Sequence, residues 1–233
     1  KGQILVDMSS TKKKTSIKIE KNIKSCKAYF LDAPVSGGTM GAEKAKLAIM
    51  VGGQRRIFNK VKKLLSTMGK VTYVGKTGSG QVAKLANQAI VGITIGAVSE
   101  ALILSKAAGA NPKAVREAIK TGFAGSPILE NHGNRILNGN FKPGGKCSTQ
   151  LKDMQNIIET ARDYNVYLPI SNKIKELYTI MVKQGKSNLD HSALYLLLKR
   201  FKKYWPFDRL VFKSLNNILK LNALNERAKK VFW

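Results

Sequence analysis

The spacing of apolar side chains divides the chain into two textures. Over residues 1–77, short apolar runs alternate with amphipathic stretches. Ile4-Leu5-Val6 marks a strand over 2–7, ending at Ser9-Ser10-Thr11, residue types suited to cap a lysine-rich helix over 13–24. A second strand over 28–35 stops at Ser36-Gly37-Gly38, and a third over 47–51 stops at Gly52-Gly53. Ile57, Val61, Leu64, Leu65 and Met68 recur at helical spacing, and 71–74 reads as another short strand. The pattern predicts α/β structure, the second half of a nucleotide-binding sheet.

From Gly78 the strand signal ends. Residues 79–108 form one long helical stretch, apolar around much of its circumference, as in a helix buried between others. Asn111-Pro112 and Ser126-Pro127 each pair a capping side chain with a proline at the first turn. Residues 138–145 make a loop around Pro143. Helices over 151–164 and 170–183 follow, and Asp190 caps a last one over 191–199. The expected organisation is a partial Rossmann-like domain over 1–77 and an all-α domain over 78–199, joined by the long helix. A basic, aromatic helical tail over 200–233 completes it.

Charge and composition change this picture little. The net charge is +27, from 41 Lys+Arg against 14 Asp+Glu. Such a balance suits a polyanion partner, yet the lysines are spread along the chain as in a solvated surface. From Lys199 onward, ten basic residues stand against Asp208 and Glu226, interleaved with Phe201, Tyr204, Trp205, Phe207, Phe212, Phe232 and Trp233. Leu210, Leu215, Ile218, Leu219 and Leu221 favour an amphipathic helix packed on a partner subunit or on its own domain over an RNA or membrane-surface contact. Cys26 and Cys147 are scattered, which fits a reducing cytoplasm. His132 and His191 lie far apart in sequence, and no metal site is expected. No run of 18 apolar residues appears, so no membrane span is expected. Neither signal-peptide pattern nor initial Met opens the chain, which reads as a fold cut internally.

Four segments carry candidate chemistry. Val6-Asp7-Met8-Ser9-Ser10 ends a strand, where open α/β sheets bind ligands; plain capping is the simpler reading. Asp32-Ala33-Pro34-Val35-Ser36-Gly37-Gly38 puts a hydroxyl and two glycines at another strand end, able to cradle a carboxylate or to make an ordinary tight turn. Gly78-Ser79-Gly80 leads into Gln81-Val82-Ala83-Lys84-Leu85-Ala86-Asn87-Gln88, where Lys84 and Asn87 share a face. Desolvation among apolar neighbours would lower the pKa of Lys84 and suit it to proton transfer; a lysine snorkelling from an apolar face is the alternative. Lys152-Asp153 follows the Pro143 loop, either as a surface ion pair or as a second cation for a site.

In this order and spacing the four segments resemble the β-hydroxyacid dehydrogenase family, which includes 3-hydroxyisobutyrate dehydrogenases and, more distantly, 6-phosphogluconate dehydrogenase. DAPVSGG with LAIMVGG resembles its substrate-binding strands, GSGQVAKLANQ its catalytic-lysine helix, and LPISNKIKELY with LDHSAL its closing helices. KLANQ, GFAGSPILENHGNRILNGNFKPG and LKDM are similar to the tartronate semialdehyde (2-hydroxy-3-oxopropionate) reductase subgroup. The resemblance implies hydride transfer between NAD or NADP and a small anionic hydroxy acid or its semialdehyde, in a cytoplasmic homo-oligomer. Tartronate semialdehyde reduction to glycerate is the expected reaction. A 3-hydroxyisobutyrate-like specificity and a non-catalytic polyanion-binding derivative are the alternatives. Lys84 would be the general acid/base, Ser36, Gly37 and Gly38 would hold the carboxylate, and Asn87 would bond substrate oxygens. Ser10 and Lys152 would contact the dinucleotide. Two departures stand out. The family's N-terminal strand and GxGxxG turn are not among these residues, so a fragment is expected, and Gly145 stands where a phenylalanine usually follows Pro-Gly.

Overall fold

The structure, a computed structural model, describes residues 2–201. β1 (Ile4–Asp7) and β2 (Tyr29–Asp32) lie parallel, Ile4 opposite Tyr29 and Asp7 opposite Asp32, with α1 (Lys13–Ser25) crossing between them. The extended chain then breaks at Ala33-Pro34, where proline has no N–H for a ladder, and resumes as β3 (Val35–Ser36). The strand expected over 28–35 is therefore two pieces of one run. A short α2 (Gly38–Glu43) leads to β4 (Leu47–Gly53), α3 (Arg55–Leu65) and β5 (Gly69–Gly75). β4 is central: antiparallel to β2 and β3, parallel to β5. It does not stop at Gly52-Gly53 but runs through both, with a register shift at Val51/Gly52.

α3 buries Ile57, Phe58 and Leu65 against Leu31, Ile49 and Val51. Each such side chain contributes about 1.5–3 kcal/mol through removal from water. Arg55, Arg56, Lys60, Lys62 and Lys63 are exposed on this helix, together with Asn59 and Leu64. The cap expected from Ser9-Ser10-Thr11 does not form. Ser9 turns back on Asp7, its amide and hydroxyl donating to Oδ1 at 3.0 and 2.6 Å, and α1 starts after Lys12, which has no side-chain acceptor.

α4 (Ser79–Ala107) is the long helix. Around it stand α5 (Pro112–Ile119), α6 (Pro127–Leu137), α7 (Cys147–Asp163), α8 (Pro169–Lys183), a 3-10 turn at His191–Ala193 and α9 (Leu194–Leu198). The expected caps are present. Asn111 accepts from the amides of Lys113 and Ala114, Ser126 from that of Leu129, and Asp190 from that of Ser192. α7 begins at Cys147 and not at Leu151, because its first amides find acceptors outside the helix: Cys147 N–H donates to Leu189 O (2.9 Å) and Ser148 N–H to Ser187 O (3.1 Å).

Ile95 of α4 lies in one apolar cluster with Met154 of α7, Tyr178 and Met181 of α8 and Leu194 of α9. Among the described residues, α4 is long and apolar enough by length and composition to cross a membrane, although it holds no unbroken run of 18 apolar residues. Here it is the hub on which the sheet, α1 and the helices from α5 to α9 pack. Both parts belong to one compact unit, residues 1–198. The tail expected over 200–233 lies outside the described residues beyond Phe201.

Candidate active site

The site is organised by the first three turns of α4. At its N-terminus the amides of Gly78 and Gln81 donate to Asp32 Oδ1 (2.7 Å) and Oδ2 (2.9 Å). Asp32 is fully buried at the end of β2; burial pushes its pKa up, while the backbone amides pull it down. Its carboxylate fills the position where the positive end of a helix would otherwise take an anion. Gln81, also fully buried, donates through Nε2 to Ser9 O (2.8 Å) and accepts from Thr11 N–H (2.8 Å). The loop after β1, and Ser10 with it, is thereby tied to α4.

One turn on stands Lys84, 9 % exposed. Burial lowers its pKa; the nearby Asp153 opposes this and the Lys152 charge adds to it. Lys84 Nζ donates to Gln88 Oε1 (2.9 Å), which also accepts from Asn87 Nδ2 (2.8 Å). Gln88 Nε2 donates to Asp153 Oδ2 (2.6 Å). Lys152 Nζ lies 3.0 Å from Asp153 Oδ1 and donates to Ser10 O (3.2 Å). Lys84, Asn87, Lys152 and Ser10 thus belong to one connected polar set spanning α4, α7 and the end of β1.

Ser36, Gly37 and Gly38 are not hydrogen-bonded into that set. They sit at the end of β3, which packs against α4. Gly37 and Gly38 have φ of 134° and 63°, values that favour glycine, and a Cβ on Gly38 would meet nothing within 4 Å. The backbone is open at Gly38, whereas a Cβ on Gly37 would meet Leu47 Cδ2 at 3.2 Å.

Two members of the set were not singled out by sequence. Gln88 could have been found from its spacing four residues after Lys84 on one helix face. Asp153 reads as half of a surface ion pair, but it is 2 % exposed.

The histidines also depart from expectation. Brought together by α6 and the 3-10 turn, His132 Nε2 and His191 Nε2 are 2.8 Å apart. With Asp190 they place metal-ligand atom types within 4.8 Å of one another. Asp190 is nonetheless committed elsewhere. Its Oδ1 accepts from the amide (3.0 Å) and hydroxyl (2.5 Å) of Ser192, and its Oδ2 from the amides of Gly144 (2.9 Å) and Gly145 (3.1 Å), with Arg135 at 3.7 Å. That is a clamp closing the Pro143 loop on the turn, not a vacant ligand. At the departure from the family pattern, a Cβ on Gly145 would stand 3.1 Å from His191 Cε1, so the imidazole packs directly over this backbone.

Comparison with known proteins identifies two matching stretches of the chain. Residues 1–75 match the NAD binding domain of 6-phosphogluconate dehydrogenase, and 78–198 match the NAD-binding domain of NADP-dependent 3-hydroxyisobutyrate dehydrogenase. The chain is 42% identical over 200 residues to 2-hydroxy-3-oxopropionate reductase of Escherichia coli (strain K12), covering 85% of this chain and 68% of that protein. The chain belongs to the β-hydroxyacid dehydrogenase family.

Enzymes of this family are NAD(P)-dependent oxidoreductases acting on CH–OH groups. A further member, the probable 3-hydroxyisobutyrate dehydrogenase-like 1 of Arabidopsis thaliana, is 36% identical over 199 residues, covering 85% of this chain and 60% of that one. Among solved structures, 3-hydroxyisobutyrate dehydrogenase from Salmonella typhimurium superposes with a TM-score of 0.78 at 23% identity, covering 83% of this chain and 69% of its own. The Mycobacterium tuberculosis enzyme with L-serine gives 0.76 at 25%, covering 84% and 69%. The fold is the Rossmann-like sheet followed by a helical domain found in these dehydrogenases.

Proposed function

We propose that this β-hydroxyacid dehydrogenase catalyses reduction of 2-hydroxy-3-oxopropionate to glycerate with NADH or NADPH. The observation that carries the proposal is Lys84: a nearly buried ammonium of lowered pKa, aimed by Gln88 within a set that includes Asn87, Asp153 and Lys152. A bound reduced nicotinamide would supply the hydride for the carbonyl carbon. Lys84 Nζ gives its proton to the carbonyl oxygen as the C=O π bond becomes C–O, and takes it back from the hydroxyl in oxidation. The Ser36 hydroxyl and the amides of Gly37 and Gly38 hold the substrate carboxylate at the end of β3. Asn87 bonds the substrate hydroxyl. Ser10 and Lys152, hydrogen-bonded at the end of β1, present a hydroxyl and a half-exposed cation suited to the dinucleotide. Residues 1–77 form the cofactor-side part and 78–199 the helical part of the cytoplasmic enzyme. Ile90 and Leu104, largely exposed on α4, support assembly with further copies of the chain.

A 3-hydroxyisobutyrate-like specificity is the second reading, favoured by the relatives carrying that name. Steady-state kinetics with both substrates and both cofactors decides between the two. In the same assay Lys84→Met lowers turnover by about 10² to 10⁴-fold with little change in melting temperature. Lys84→Arg does not restore it, because a guanidinium keeps its proton at neutral pH. A Lys84→Met protein that turns over like wild type overturns the acid/base assignment.

A further inference from the structure

We infer that Gln150, its amide orientation locked by the His132–His191 pair, is a positioning residue for the turn of α4 that aims Lys84. This rests on the reading of Lys84 as the acid/base. Gln150 lies one turn before Asp153 on α7 and is 1 % exposed. Its Nε2 donates to the backbone carbonyl of Gln88 (3.3 Å), and its Oε1 faces His191 Nδ1 at 3.2 Å. α7 therefore grips Gln88 at two points, Asp153 on the side-chain amide and Gln150 on the main chain.

The direction of every proton in this chain follows from the donors and acceptors available. The Gln88 carbonyl can only accept, so the Gln150 amide must turn its NH₂ group toward it. Oε1 then needs a donor, which makes His191 the Nδ1–H tautomer and leaves a lone pair on its Nε2. His132 must in turn carry its proton on Nε2 and donate it across the 2.8 Å gap. The Nδ1 of His132, left as a bare acceptor, is the buried nitrogen without a partner among the described residues.

The arrangement requires His191 neutral, since its Nε2 must keep the lone pair to which His132 donates. Burial lowers the pKa of each, that of His191 to about 4, with His132 and Arg135 adding to the effect on His191. Asp190 in the turn and Asp153 on α7 act in the opposite direction, while Tyr178 of α8 donates only to the His191 carbonyl. The lock therefore stands at neutral pH. Without His191 the Gln150 amide could rotate and set its oxygen against the Gln88 carbonyl, oxygen facing oxygen, loosening α4 one turn after Lys84.

A double-mutant cycle with Gln150→Met and His191→Phe on the whole chain tests this, reading the Lys84 ammonium pKa by NMR together with kcat and KM. Because the links act in series, each single variant shifts the Lys84 pKa by about half a unit or more. Each also lowers kcat about tenfold with KM within about twofold, and the double variant matches Gln150→Met alone. A folded Gln150→Met protein with unchanged Lys84 pKa, or effects that add in the double variant, overturns the inference. Should wild type fail to turn over hydroxy acids, the proposed function fails, while the Lys84 pKa still decides the positioning role. If Gln150→Met does not fold, His191→Phe alone, with Gln150 intact, must still move that pKa.

Discussion

Gly80→Ala isolates what holds the head of the lysine helix in place. Gly80 is in the first turn of α4 and its φ is not positive, so alanine meets no backbone penalty there. The obstruction is steric. A Cβ would lie 2.4 Å from Met50 O, 2.7 Å from Asp32 O and 2.8 Å from Asp32 Oδ2. Real Cβ contacts stay beyond 3.0 Å, so at least 0.6 Å must be made up against Met50 O. The three obstacles are two strand carbonyls and a carboxylate fixed by two amides, none of which can swing aside like the end of a flexible chain. The helix must back away from the sheet. Overpacking of this kind costs about 1–3 kcal/mol, larger than or comparable to the ~1 kcal/mol alanine gains over glycine in a helix. Lys84 travels with that turn, and a displacement approaching 1 Å costs on the order of 10²-fold in rate. Urea unfolding and steady-state turnover on the same preparation measure both effects. A Gly80→Ala protein as stable and as active as wild type would refute the claim that close contact between strand and helix aims the lysine.

Two further outcomes follow from charge and ionisation. The folded-state pKa of His191 lies near 4, below its unfolded value of about 6.5, so the unfolded chain takes the proton first. Stability should be complete above about pH 6.5 and fall by up to about 3 kcal/mol as pH drops through this window to about 4. Denaturation at stepped pH should show a steeper acid loss for wild type than for His191→Phe, and parallel curves would contradict the buried neutral pair. Binding to nucleic acid, driven only by the +27 charge, should be weak, indifferent to sequence and steeply salt-dependent. Sub-micromolar affinity at physiological salt, lost on removing residues 200–233, would favour a binding role instead.

Much of the local structure was legible because its cause is local. Asn111-Pro112, Ser126-Pro127 and Asp190 each announce a helix start within a few residues, and each caps as its side chain allows. Lys84 could be picked out because its apolar neighbours and glycine-rich entry are contiguous. Errors arose where a distant partner decides. Thr11 is drawn to α4 through its amide, which donates to Gln81 70 positions away, and α1 starts only after Lys12; Ser9, turned back on Asp7, is the local exception. The early start of α7 depends on carbonyls of Ser187 and Leu189 that no window around Cys147 contains. The same holds for the site. Asp153 becomes buried only because α7 lies on α4. His132 and His191, separated by 59 positions, meet only once α6 and the 3-10 turn are folded together.

The Asp32 carboxylate has a consequence for how the chain can be taken apart. Texture alone suggests a seam between Thr77 and Gly78, where a module could be exchanged for a relative's. The hydrogen bonds show a weld at that place. One side contributes a buried carboxylate, and the other contributes the two amides that solvate it. Separated, the first part would keep an anion with no donors and the second would expose the bare start of its longest helix. Neither half can be exchanged at that seam without losing these hydrogen bonds. Asp32 and the Gly78–Gln81 turn have to be swapped as one piece, even though Asp32 and Gly78 are 46 positions apart in sequence.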